Sequence, residues 1–150
     1  MYEFSVPTHL PDFVQDHVRL YLESGGEEGH MWTSPLGGDA VPTLLLVSKG
    51  RKSGKLQTLP LIYGEADGGY VIVGSKGGAP SDPAWLLNVR ADPLVAVQVG
   101  AERFEAVARV AAADERERLW RVMTRIYPDY DIYAERAGRE IPVVVLERRV

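Results

Sequence analysis

Val41-Pro42-Thr43-Leu44-Leu45-Leu46-Val47-Ser48-Lys49-Gly50-Arg51-Lys52-Ser53-Gly54-Lys55-Leu56-Gln57-Thr58-Leu59-Pro60-Leu61-Ile62-Tyr63 holds two apolar runs joined by a short cationic loop. Each run has strand length and is bounded by turn residues, which predicts strands over roughly 42–48 and 57–64. So short a connection favours antiparallel pairing, because a parallel crossover needs about a dozen residues or more. Lys49, Arg51, Lys52 and Lys55 place four cations here with no acid among them, in a chain of formal net charge −4. Gly50 and Gly54 frame Arg51, Lys52 and Ser53, so the backbone can bend and its N–H groups can converge. With the Ser53 hydroxyl, that is the chemistry for holding a phosphate or a carboxylate. The spacing is not that of a P-loop, which needs four residues between its first glycine and Gly-Lys. A solvated hairpin tip is the bland reading of the same residues.

Working outward, Leu10, Phe13, Val14, His17, Val18, Tyr21 and Leu22 recur at helical spacing, with Asp12, Gln15, Asp16, Arg19 and Glu23 on the other face. Gly25-Gly26 ends that helix, and residues 27–40 read as a loop. Asp67-Gly68-Gly69 reads as a hairpin turn into a strand from Tyr70 to Ser75. Lys76-Gly77-Gly78-Ala79-Pro80 breaks it, and Asp82 is placed as the N-cap of a short helix, Ala84 to Ala91, with Pro83 in its first position. Strands follow over 95–99 and 103–110. Asp114 with Glu117 resembles a capping box for a helix carrying Leu119, Trp120, Val122, Met123, Ile126 and Tyr127, which Pro128 ends. A last strand runs from Ile141 to Glu147. About six strands with three or four helices, joined mainly by short turns, predict an α+β but mainly β fold: a small antiparallel barrel with helices outside it.

The 150 residues fit one domain, 1–150, with residues 1–40 packed on the barrel as helix and loop. Cysteine is absent, which excludes disulfides, thiolate metal sites and cysteine nucleophiles. Apolar runs of about seven residues fall well short of a membrane span, and the N-terminus lacks the pattern of a signal peptide, so a cytoplasmic location is expected. The amphipathic first helix leaves room for weak peripheral attachment to a membrane face, but its acidic polar side favours packing on the barrel. A pI near 5.4 argues against nucleic-acid binding.

Ser75-Lys76-Gly77-Gly78 is a second Gly-rich cationic strand end, leading into a helix start whose free N–H groups favour anions. Two such loops could converge on one anionic ligand; an ordinary connection needing glycine is the alternative. Trp85 is either core or a cofactor contact. Tyr127, Tyr130 and Tyr133 share a face if the helix resumes after Pro128, and either line an aromatic substrate or pack the helix onto the barrel. His9, His17 and His30 show no metal-ligand spacing, the serines lack a nucleophile elbow, and no carboxylate pair sits in an apolar setting. A charged cofactor site without acid–base machinery is compatible with redox chemistry carried by the cofactor.

Pro42-Thr43-Leu44-Leu45-Leu46, Gly50-Arg51-Lys52-Ser53-Gly54, Pro60-Leu61, Ser75-Lys76-Gly77-Gly78, Pro83-Ala84-Trp85, Asn88, Ala91-Asp92-Pro93, Val97-Gln98-Val99, Tyr127-Pro128-Asp129-Tyr130 and Arg139-Glu140-Ile141-Pro142-Val143-Val144-Val145-Leu146-Glu147 closely resemble the deazaflavin-dependent nitroreductase and quinone reductase family. The resemblance implies a split, flavin-reductase-like β-barrel, an actinobacterial source and the deazaflavin coenzyme F-420 as reduced hydride donor. By position, Arg51, Lys52, Ser53 and Gly54 would hold the cofactor's phosphate and acidic tail, and Pro60 would lie along the deazaflavin. Ser75, Lys76, Gly77 and Gly78 would line the cofactor groove with Trp85 nearby. Tyr127, Tyr130, Tyr133 and Ser75 would be the catalytic set facing a planar, electron-poor acceptor: a quinone, nitroaromatic or activated enone. An FMN-binding oxidoreductase on the same barrel and a non-catalytic deazaflavin carrier are the alternatives. Oligomeric state is not legible from these residues.

Overall fold

The computed structural model of the chain describes residues 2–35 and 37–149. Helix α1 (Asp12–Glu23) is followed by strands β1 (Met31–Trp32), β2 (Val41–Lys49), β3 (Leu56–Ile62), β4 (Gly64–Ala66) and β5 (Gly69–Val73). A 3-10 turn at Lys76–Gly78 leads to α2 (Ala84–Ala91), β6 (Leu94–Val99), β7 (Glu102–Val110), α3 (Ala113–Ile126), α4 (Asp129–Ala137) and β8 (Val143–Arg148). The strands run β1-β2-β6-β7-β8-β5-β4, all antiparallel, with β3 on the other edge of β2. β3 shares no ladder with β4 or β5, so the barrel is split there.

The Leu44-Leu45-Leu46 run is apolar throughout because β2 is covered on both faces, a situation that removes the usual alternation. Leu44 and Leu46 face the barrel core with Ile72, Val95, Val97, Ala106, Val144 and Leu146. Leu45 points the other way, onto Val18 and Tyr21 of α1. The fully buried Tyr21 hydroxyl donates to the Thr43 carbonyl (2.9 Å) and accepts from the Gly100 amide (2.9 Å). α1 is therefore pinned to the sheet by a satisfied buried phenol as well as by apolar contact. A second core lies beneath α3 and α4, where Leu119, Met123, Tyr130 and Ala137 meet Val71, Val73, Ile141, Val143 and Val145.

Several expectations are corrected. The strand predicted over 57–64 is two: β3 leaves the β2 ladder at Ile62, and β4 joins β5 from Gly64. Gly64 passes so close under α3 that a Cβ would lie 2.9 Å from Met123 Sδ and 3.0 Å from Ile126. The loop expected over 27–40 contains β1, and the strand expected from Ile141 begins at Val143. Asp82 does not cap α2. Pro83 holds the N-cap position, while the Asp82 carboxylate accepts from Arg139 (2.7 Å) and Arg90 (3.2 Å). At α3 the reach-back comes from Glu115, whose carboxylate accepts from the Ala112 amide (2.9 Å), and not from the Asp114–Glu117 pair. The helix does resume after Pro128, as α4. Among the described residues, no helix is long and apolar enough to cross a membrane.

Candidate active site

The cationic loop closes on itself. The Gly50 amide donates to the Lys55 carbonyl (2.8 Å), the Gly54 amide to the Gly50 carbonyl (2.8 Å), and the Lys55 amide to Ser53 Oγ (3.1 Å). Gly54 takes φ +72°, and a Cβ on Gly50 would meet Ser53 Oγ at 2.7 Å, so each glycine is needed for its own reason. Lys49, Arg51, Lys52, Ser53, Gly54 and Lys55 are exposed, and the loop borders a cleft of about 430 Å³ that also touches Ala91 and Asp92 at the end of α2. Among the described residues, none of the four cations has a carboxylate partner, whereas nine arginines elsewhere do. All the chain's lysines, Lys49, Lys52, Lys55 and Lys76, lie in the two Gly-rich loops.

The second loop stands at the other end of α2. An eight-residue helix is about 12 Å long, so one ligand touching both loops must be extended along it. Lys76 sits at φ +48°, an unusual conformation for a lysine, followed by Gly77 at φ +64° and Gly78 at φ +86°. The turn is held from outside by Arg139. Its guanidinium donates to the carbonyls of Ala79 (3.1 Å), Ser81 (2.9 Å) and Gly74 (3.2 Å) and to the Asp82 carboxylate (2.7 Å). Gly78 lies against α4: a Cβ there would come within 3.1 Å of Tyr133 Cα.

Between these supports runs a largely apolar groove of about 370 Å³. Pro60 and Leu61 of β3 form one wall, Ser75, Lys76 and Gly77 with Trp85 another, and Tyr127, Tyr130 and Tyr133 the third. Trp32, Val14 and His17 complete it. Of the predicted site residues, Pro60, Ser75, Lys76, Gly77, Trp85 and the three tyrosines thus meet in one groove. Arg51, Lys52, Ser53 and Gly54 form the separate cationic cleft, and Gly78 is buried beside α4. The tyrosines pack mutually edge-on: Tyr127 to Tyr130 at 5.1 Å and Tyr130 to Tyr133 at 6.2 Å between ring centres. The hydroxyls of Tyr127 and Tyr133 are hydrogen-bonded to each other at 3.1 Å. Tyr130, 5% exposed, has no such bond from its hydroxyl to another described residue.

Burial pushes the Tyr130 phenol well above its ordinary pKa, with the neighbouring Tyr127 and Tyr133 adding to the shift. Burial, with the Tyr127 hydrogen bond, pushes Tyr133 up to about 12. These phenols therefore stay protonated at neutral pH and act as donors, not bases. Sequence reasoning missed Trp32, which packs 6.5 Å from Tyr127, and His17, which lines the groove while its Nε2 meets the Gly29 carbonyl at 2.7 Å. It also assigned no role to Arg139 or Asn88. Runs of separate elements carry no local signal of what they will face; only the Arg139 and Asn88 positions stood inside recognisable motifs.

Residues 13–148 match the family model described as F420H(2)-dependent quinone reductase. An F420H(2)-dependent quinone reductase of Mycobacterium tuberculosis is 36% identical over 136 residues, covering 89% of this chain and 88% of the relative. Among solved structures, an F420-H2 dependent reductase superposes with TM-score 0.66 at 39% identity, over 73% of this chain and 100% of that one. A domain-swapped dimer superposes with TM-score 0.67 at 34% identity, over 91% of this chain and 98% of that one.

Proposed function

The chain belongs to the F420H(2)-dependent quinone reductase family, oxidoreductases whose hydride donor is reduced coenzyme F-420, and we propose that this member reduces planar quinones in the groove between β3, α2 and α4. The observation that carries the reading is the pairing of a largely apolar, aromatic-lined groove with a cationic cleft at opposite ends of one helix. A ring system with an extended anionic tail fits that layout. Pro60 and Trp85 offer faces to the ring, and the unpaired cations of Arg51 and Lys52 offer charge to the tail.

When bound, the reduced coenzyme supplies a hydride; a quinone that takes it together with one proton becomes the hydroquinone. The groove walls hold the acceptor flat and exclude water from the reacting face. Lys76, on the groove wall, faces charge developing on the acceptor oxygen. Tyr130, whose hydroxyl has no described partner and stays protonated, donates to that same oxygen. The Tyr127 and Tyr133 rings pack edge-on against Tyr130 and fix its orientation, their own hydroxyls bonded to each other. Residues 1–150 act as one unit, with residues 1–40 supplying the Val14, His17 and Trp32 wall.

The test is anaerobic mixing with the reduced coenzyme and, in turn, a soluble quinone, a nitroaromatic and an activated enone. Stoichiometric consumption with the quinone, faster than with the others, is expected. Turnover confined to the nitroaromatic or the enone would overturn the acceptor assignment, and equal turnover with reduced FMN would overturn the cofactor assignment.

A further inference from the structure

Asn88 stands in the middle of α2 with 1% of its surface exposed. Its Oδ1 accepts twice from one residue, from the Arg51 backbone amide (3.1 Å) and from Arg51 Nη1 (3.2 Å). Its Nδ2 donates to Gln57 Oε1 (3.3 Å) on β3. Both ends of the side-chain amide are thus engaged, and it ties the tip of the cationic loop to both helix and strand. We propose that Asn88 is a charge-sparing positioning residue: it fixes the Arg51 guanidinium toward the anionic tail of the ligand without neutralising it. The inference rests on the reading of this loop as the tail site.

Elsewhere the protein steadies arginines with carboxylates: Arg139 and Arg90 on Asp82, Arg118 on Asp67, Arg148 on Glu102. A carboxylate at position 88 would make a stronger bond to Arg51. It would also cancel the charge that an anionic ligand needs, and would set a buried negative charge beside the cleft. A neutral carbonyl oxygen accepts the same two hydrogen bonds and leaves the field of the loop intact. Arg51 keeps its remaining guanidinium N–H groups for a phosphate or carboxylate, in the planar arrangement that suits either. The backbone contact matters as well, because it holds the Gly50–Gly54 turn against α2 and sets where Lys52 and Ser53 stand.

The probes are coenzyme F-420 and its deazaflavin chromophore lacking phosphate and tail, titrated into wild type, Asn88→Asp and Asn88→Ala between low and high salt. Wild type binding the whole coenzyme no better than the fragment would sink the tail-site reading itself. If wild type does discriminate, Asn88→Asp is expected to weaken the whole coenzyme by about tenfold or more at low salt, the scale of one charge-assisted contact. Its affinity should then depend less on salt, since one cation has been cancelled. Asn88→Ala should lose less affinity and keep the wild-type salt dependence, because the charge remains. Fragment binding should be the same in all three. Asn88→Asp with wild-type affinity and salt dependence for the whole coenzyme would overturn the inference. Equal losses of fragment and coenzyme would do so too, since they would show a general packing role. Should Asn88→Asp fail to fold, Arg51→Ala with and without Asn88→Ala decides: Asn88→Ala must cost less whole-coenzyme affinity in the Arg51→Ala background, where only the backbone contact is left to lose, than in wild type, and an equal cost in both would overturn the inference.

Discussion

The cationic loop is built from residues 49–55 in succession, closed by its own hydrogen bonds and exposed at all but Gly50, while the groove at the other end of α2 takes its walls from α1, β1, β3, the Ser75 turn, α2 and α4. The loop's chemistry is charge left unpaired; the groove's is apolar faces and phenols brought together by packing. A change in the loop should therefore alter ligand affinity and its salt dependence while leaving folding nearly untouched. A change in the groove or its supports should alter stability and turnover together, because the same contacts shape both. Asn88 and Gln57 are where the two regions are joined.

The sharpest contrast is expected from Arg139→Leu. Its guanidinium is largely buried and satisfies several carbonyls of residues 74–81. Leaving them and Asp82 without it should cost about 3 kcal/mol or more of stability. Turnover should fall with it, while affinity for a simple polyanion at the cationic loop stays near wild type. Denaturant melts with binding titrations check this, and a stable variant with a full set of kinetic constants would show that the turn holds itself.

Tyr130→Phe comes next. Loss of a hydroxyl that supplies a proton or a hydrogen bond in the transition state should lower kcat by about 100-fold. Coenzyme affinity should stay close to wild type. Tyr127→Phe and Tyr133→Phe should each cost less, because either leaves Tyr130 in place. Steady-state kinetics with a quinone separates the three, and unchanged turnover in all of them would return the tyrosines to a packing role.

On the loop side, Lys52→Ala should weaken coenzyme binding by about tenfold at low salt, with the loss shrinking as salt rises and no change in melting temperature. A melting temperature that drops with the affinity would blur the contrast between the two regions.

The smallest effect is a pH dependence. Tyr63 and Tyr133 are held up to about 12 in the folded protein against an ordinary value of 10.0. Unfolding releases these phenols to titrate at the lower value. Their contribution to stability is intact below pH 10 and is lost as pH rises from 10 toward 12. Thermal melts across that window should fall less steeply in Tyr63→Phe than in wild type, and no loop variant should change the slope.

Much of the barrel was legible because its strands and turns are locally encoded. The β2–loop–β3 unit, the Asp67-Gly68-Gly69 turn and the alternation of β6 and β7 each announce themselves within a dozen residues. The break at Tyr63 was not legible, since it reflects which neighbour each half of one apolar run finds. Nor was the reassignment of Asp82: a carboxylate ahead of a helix is a good cap until an arginine from position 139 claims it. Pro60, Ser75, Lys76, Gly77 and the tyrosines were reachable through the family resemblance; Trp32 and His17 had neither motif nor periodicity to mark them.

Composition and local pattern alone settle that this chain has no cysteine chemistry, that its lysines stand in two glycine-framed turns, and that short antiparallel connections dominate. Charge density, turn geometry and side-chain alternation are properties of neighbouring residues, so they survive without the fold. Only the tertiary structure places those turns at opposite ends of α2, gathers three tyrosines against a strand nearly seventy residues earlier, and seats the buried Asn88 amide against Arg51. Those relations depend on which buried faces pack together, and that is decided by the whole chain excluding water at once.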